Sequence, residues 1–186
     1  METWSIDIPG PVPLANALRR VILSRVPGMA IDSLTIQSNT TTFWDEYIAH
    51  RLGMLAIRAP GHNFCTPNAS IGTLTLHERN DSDTVVLVTA ESLKSEVFEP
   101  VHPNTPLIYL SPHSELHFTA NVHTKCGGDH MRFCPAVARI QPWEKLQGAT
   151  LTIASHGARE PQTGLHMPIE ILKSDLAAVC EYTKTI

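Results

Sequence analysis

No apolar run of 18 residues occurs in this 186-residue sequence, and its start, METWSIDIPG, has neither the basic nor the apolar stretch of a secretory leader. No membrane association is expected, and the chain reads as intracellular, in nucleus or cytoplasm. Positive charge is in deficit: 14 Lys and Arg stand against 18 Asp and Glu, a formal net charge of −4. Nonspecific binding to nucleic acid rests on cations that neutralise phosphates, so no direct grip on DNA is expected. The four cysteines, Cys65, Cys126, Cys134 and Cys180, include no C-x-x-C pair, and reduced thiols fit the missing leader. No G-x-S-x-G nucleophile elbow occurs, and CGG at 126–128 lacks the Gly-Lys-Ser/Thr ending of a phosphate loop. Internal repeats and low-complexity tracts are missing too.

What remains is a core-forming chain. Hydrophobic residues make up 42% and charged residues 17%, which suits one compact domain or two small interleaved ones. Prolines cluster at 9–13, 60–67, 100–112 and 135–142 and punctuate the elements. Pro13 suits a first helical turn, where a missing N–H is harmless. Leu14, Leu18, Val21 and Ile22 then recur on one helix face, and Pro27-Gly28 ends it. AIDSLTIQ follows as a strand. In WDEYIAHRLG, first-turn acids, last-turn His50 and Arg51 and the terminator Gly53 predict a short second helix.

GTLTLHE, TVVLVTA, PLIYL and SELHFTANV are short β-branched or alternating runs split by Pro, Asn, Asp and Ser, a β-rich middle. After ARIQPW, ATLTIAS predicts a last strand. Pro168 then opens a closing helix with Ile169, Leu172, Leu176 and Val179 in a stripe and Cys180 beside it. End helices around a β middle give an α+β class, the middle inserted into a domain built from both termini.

Two groups of side chains invite a chemical reading. His123, Cys126, His130 and Cys134 spell H-x2-C-x3-H-x3-C, donors that zinc accepts. The spacing is tighter than a C-x2-C-x4-H-x4-C knuckle, and these residue types also serve as turn and core residues. A stand-alone zinc-binding interaction module is therefore the alternative reading, while the expectation is no metal and no other cofactor. Asp45 and Glu46 sit at a helix start, where acids offset the macrodipole without any acid–base role.

The stretch LANALRRVILSRVPGMAIDSLTIQSNTTTFWDEYIAHRLGMLAI resembles the opening of the α-like subunits of multisubunit DNA-directed RNA polymerases. The likeness is to the larger of the archaeal α-like subunits and to the third-largest subunit of eukaryotic polymerase II. It resumes at SLKSEVFEPVHPNTPLIYL and at GGDHMRFCPAVARI, where the family usually carries Gly, Lys, His and an aromatic before Ser-Pro-Val. The pairing of NALRR with DEYIAHRLG at this distance is its specific part.

The resemblance implies a dimerisation domain made from residues 1–45 plus 145–186, with a β-rich domain, 46–144, inserted between. First and last helices would pack against their counterparts in a smaller α-like subunit through Leu14, Leu18, Val21, Ile22, Leu172, Leu176 and Val179. That heterodimer would then receive the second-largest and the largest polymerase subunits. Arg19 and Arg20 lie about 100° apart on a helix, so the apolar face enters the seam while an arginine emerges at its edge. A guanidinium there grips carboxylates or carbonyls with planar donors. By resemblance, contact with the second-largest subunit falls to Arg19, Arg20 and Arg51, with Arg20 foremost. The implied role is a non-catalytic assembly platform with no catalytic residues of its own.

Two departures from the family pattern stand out. The strand ahead of the first helix is cut to WSIDIP. APGHNFCTPNAS has one cysteine where eukaryotic members carry a cysteine-rich zinc loop and several archaeal members an iron–sulfur domain. The family's metal is not expected here. The short chain and lost decorations point to a divergent lineage, for which a large DNA virus is one source, with the virion as a location in that case.

Overall fold

The computed structural model describes residues 2–62, 66, 68–144, 147–158 and 161–184, which leaves Cys65 outside. The chain is α+β. In order it runs β1 (Glu2–Pro9), α1 (Val12–Ser24), β2 (Pro27–Asn39), α2 (Asp45–Gly53), β3 (Ile57–Arg58), β4 (Ala69–Arg79) and β5 (Val86–Thr89). Then come β6 (Glu99–Pro100), β7 (Pro106–Leu110), β8 (Glu115–Cys126), β9 (Ala136–Pro142), β10 (Gly148–Ser155) and α3 (Pro161–Tyr182). Among the described residues no helix is long and apolar enough to cross a membrane.

Two compact units result, residues 1–28 with 126–186 and residues 29–125. The boundaries therefore lie at the start of β2 and the end of β8, not at 45/46 and 144/145 as the sequence suggested. Strand pairing is the reason. β2 sits beside β8 in one sheet, which takes its residues into the inserted unit, while β9 pairs with β10 in another.

The terminal unit holds a three-stranded antiparallel sheet in the order β1-β10-β9. Its register sets Trp4 opposite Ile153, Ile6 opposite Leu151 and Ile8 opposite Ala149. Side chains of a strand alternate between faces, so these residues share a face while Ser5, Asp7, Thr150 and Thr152 share the other. On that outer face Thr150 Oγ1 donates to Asp7 Oδ1 at 2.7 Å and accepts from Trp143 Nε1 at 3.0 Å. Helix α1 covers the inner face, and Ile22 packs into a cluster with Ala136, Ala138, Leu151 and Ile153. The two alanines of β9 leave room for the helix to approach.

The inserted unit is built on the antiparallel sheet β2-β8-β4, with the two-stranded pieces β3-β6 and β5-β7. Its core gathers Ile31, Ile48, Leu52, Leu74, Leu76, Phe118 and neighbours, contributed by α2 and the inner faces of β2, β4 and β8. A register shift between Ser70 and Gly72 bends β4. Gly72 has φ +147°, and a Cβ there would stand 2.8 Å from the ring of Phe98, so only glycine fits the bulge. Helix α2 begins with Asp45 and Glu46 and ends with His50 and Arg51, each charge favourable at its end of the macrodipole.

Candidate protein–protein interface

Helix α1 starts after Pro11, with Pro13 in the first turn and no side-chain cap. Ala15, Val21 and Ile22 are buried within the unit, and Leu18 is partly buried against the same cluster. Leu14 remains 41% exposed. Of the four α1 residues expected in a dimer seam, Val21 and Ile22 are therefore buried within the chain itself, Ile22 against the sheet, and Leu14 and Leu18 keep accessible surface.

Helix α3 does not open at Pro168. It begins at Pro161, runs 22 residues and carries Pro168 inside, buried. A proline there removes one i→i−4 hydrogen bond, a local loss in a long helix. Beyond Pro168 the helix displays its apolar residues to solvent. Ile169, Leu176, Val179 and Tyr182 are 42%, 56%, 59% and 68% exposed, and Leu172 is partly buried. Ile169, Leu172, Leu176 and Val179 follow the i, i+3, i+7, i+10 spacing of a single helical stripe. Ile169 and Tyr182 were absent from the expected seam; Ile169 had been legible as part of the stripe, and Tyr182 extends it by three residues.

Charged residues fix α3 beside α1. Arg25, just past the end of α1, forms an ion pair with Asp175. On α3 itself Lys173 Nζ donates to Glu170 Oε1 at 2.9 Å, and that contact holds the Glu170 carboxyl below the usual carboxylate range. The acidic and basic groups thus lie off the apolar stripe.

The three arginines assigned to a large partner differ in how occupied they are. Arg19 Nε donates to Asn16 Oδ1 at 3.0 Å. Arg20 is exposed, and its side chain has no hydrogen bond or ion pair among the described residues, the only local bond being Ser24 Oγ to the Arg20 carbonyl at 2.7 Å. In the inserted unit, Arg51 Nη2 donates to the Pro106 carbonyl at 2.7 Å, and its guanidinium lies 5.8 Å from the centre of the Tyr47 ring. Among the three, Arg20 alone has no side-chain bond among the described residues, whereas Arg51 ties α2 to β7.

The His/Cys quartet is divided between the two units. His123 lies in the inserted unit and the other three residues in the terminal unit. Cys126 Sγ donates to the Arg25 carbonyl at 3.3 Å and Cys134 Sγ to the Ala136 carbonyl at 3.0 Å. His130 Nδ1 accepts the Arg132 N–H at 3.1 Å, capping a 3-10 turn at Met131–Phe133. Burial raises both thiols above their ordinary range. Among the described residues no three His, Cys, Asp or Glu side chains are already gathered to hold an ion. The single cysteine of 59–70 likewise does not fit a cysteine-rich zinc loop or an iron–sulfur cluster.

A second exposed stripe escaped the sequence reading. Trp44, Tyr47 and Met54 are 80%, 45% and 55% exposed along α2 and its two caps, with Phe43 stacked on Tyr47 at 5.2 Å. The signal was present in WDEYIAHRLGM as large residues at helical spacing. Beneath α2, a gap among Ile48, Leu52, Leu76 and Phe118 is about the size of one water, too small for a substrate.

An α+β unit assembled from both chain ends, with an uncovered apolar helix face, defines a candidate dimerisation domain. Residues 11–176 match the family described as the RNA polymerase Rpb3/Rpb11 dimerisation domain, and the chain belongs to that family. It is 34% identical over 126 residues to DNA-directed RNA polymerase subunit Rpo3 of Thermococcus kodakarensis, covering 67% of this chain and 49% of that protein. Against Rpo3 of Aeropyrum pernix it is 32% identical over 183 residues, covering 88% of this chain and 63% of that one. The DNA-directed RNA polymerases I and III subunit rpac1 of Dictyostelium discoideum is 29% identical over 160 residues, 70% of this chain and 46% of that protein. The chain spans about half to three fifths of the length of the curated relatives it matches.

Proposed function

We propose that this chain is a non-catalytic assembly subunit of a DNA-directed RNA polymerase. It pairs through α1 and α3 with a smaller α-like subunit, and the heterodimer receives the second-largest and then the largest catalytic subunit. The observation that carries this reading is the apolar stripe of α3, whose Leu176 and Val179 are more than half exposed in the isolated chain. Contiguous exposed apolar side chains at helical spacing mark a surface that another protein covers. The family's dimerisation domain and relatives named as polymerase subunits support the assignment. Arg20, exposed and unengaged, is the proposed contact for the second-largest subunit, since a guanidinium suits a partner's carboxylates or carbonyls.

Co-expression with a smaller α-like subunit tests the first step. A stable 1:1 heterodimer is the expected product, and the chain expressed alone is expected to self-associate weakly or aggregate. A well-behaved monomer that ignores the smaller subunit would overturn the reading.

A further inference from the structure

The outer face of the inserted unit's main sheet holds a cross-strand pair of histidines. His77 on β4 stands directly opposite His117 on β8. The type of this pairing follows from the backbone. Thr75 exchanges both of its backbone hydrogen bonds with Lys94, on the side of β4 away from β8, at 2.9 and 2.8 Å. Hydrogen-bonding direction alternates along a strand, so Thr75 and His77 both turn their backbone groups away from β8. The Asn80 N–H, of the other parity, donates to the Ser114 carbonyl at 2.8 Å, which agrees. His77 and His117 are thus a non-hydrogen-bonded pair, the antiparallel position at which opposed side chains come closest.

Their rings stack with centroids 4.5 Å apart and planes inclined by 22°. Glu115, two residues before His117 and on the same face, brings Oε1 to 3.3 Å from His77 Nε2. Glu115 is itself held in place: Thr40 Oγ1 accepts its N–H at 2.8 Å, and its carbonyl accepts the Thr40 N–H at 3.0 Å. Arg79, which faces Glu115 across the strands, has its guanidinium on Asp81 at 2.6 Å instead. The carboxylate is left to the histidines.

We propose that His77, His117 and Glu115 form a surface site for a borderline divalent cation of the Zn2+ class. Two ligands about 2.0–2.1 Å from a tetrahedral zinc stand about 3.3–3.4 Å from each other, and His77 Nε2 and Glu115 Oε1 already stand 3.3 Å apart. The His117 ring, stacked at 22° on its neighbour, completes the set by turning out of the stack toward them when the ion arrives. Water fills the remaining position, because His77 is 63% exposed. Neutral imidazole and carboxylate match the donor preference of zinc. The site shares no residue with the His123, Cys126, His130 and Cys134 quartet or with the helix face proposed for assembly.

The test is an equilibrium titration of Zn2+ alone into the purified chain, or into the complex with which it co-purifies, reading the difference between wild type and variants. His77→Thr and His117→Thr place β-branched residues at exposed strand positions and preserve the fold. Glu115→Gln keeps a hydrogen-bonding oxygen for His77 and removes the charged ligand. Wild type is expected to take up one Zn2+ saturably, and each of the three variants to lose about tenfold or more in affinity, as metal sites do on weaker perturbations. A smaller loss in any of them, or no saturable uptake by wild type, overturns the proposal.

Discussion

Leu176→Asp probes the exposed face of α3 most cleanly. In the isolated chain Leu176 is 56% exposed, so replacing it removes little intramolecular burial, and surface substitutions of this kind stay within about 0.5 kcal/mol of neutral. Under a partner, the exposed part of the side chain would be buried. Full burial of a leucine contributes about 1.5–3 kcal/mol, so slightly more than half of that, about 1–1.5 kcal/mol, belongs to association. The aspartate adds the cost of desolvating an unpaired carboxylate, about 2 kcal/mol or more even after relaxation. The sum, about 3 kcal/mol or more, weakens association by at least a hundredfold.

Ile22→Ala is the counterpart. Ile22 is 2% exposed in the chain's own core, and its truncation costs about 2–5 kcal/mol of folding stability. Thermal unfolding of the isolated variants and partner titration of each give the comparison. Leu176→Asp should unfold near wild type and fail to pair, whereas Ile22→Ala should unfold earlier. If Leu176→Asp lowers the melting temperature as much as Ile22→Ala, or pairs normally, the α3 stripe is not an interface and the reasoning fails.

Arg20→Ala should leave pairing with the smaller subunit intact and weaken docking of the second-largest subunit by about thirtyfold, near 2 kcal/mol, while Arg19→Ala, which loses only its bond to Asn16, should dock normally; equal behaviour of the two would remove Arg20's role. Gly28→Ala should destabilise the fold by about 1–3 kcal/mol or more, because the added Cβ would lie 1.9 Å from the Phe133 carbonyl oxygen, and an unchanged melting temperature would contradict that packing. Burial holds the Cys134 thiol above its ordinary 9.0, so the unfolded chain releases this proton first. The contribution is therefore intact below pH 9.0 and lost as pH rises beyond it. Cys134→Ala should show a shallower alkaline fall in melting temperature than wild type, and identical slopes would refute it.

Local patterns carried the helices and most strands. The spacing of Leu14, Leu18 and Ile22 and the prolines at either end marked α1, and the charges of DEYIAHRLG marked α2, because proline's backbone limits and dipole effects are written in adjacent residues. PLIYL is β7 as read. Pairing was not legible: Glu2 meets Ser155 and Pro9 meets Gly148 across most of the chain, and nothing local encodes that register. The shifted unit boundaries have the same origin, since β2 and β9 go where their partners are. Pro168 misled because proline is read locally as a helix start, while burial and the surrounding turns carried α3 through it. At the candidate interface, the α3 stripe was visible as periodicity. Which of its members face solvent, and that Arg20 rather than Arg51 is unengaged, depended on contacts made by residues far away in sequence.

Purification of the tagged chain from its native source, followed by identification of everything that travels with it, tests the central claim most directly. The account predicts a smaller α-like subunit in equal amount and the two largest polymerase subunits in the same particle, with Leu176→Asp losing them all. Recovery of the chain as a lone, stable monomer, or with partners unrelated to a polymerase, would contradict it.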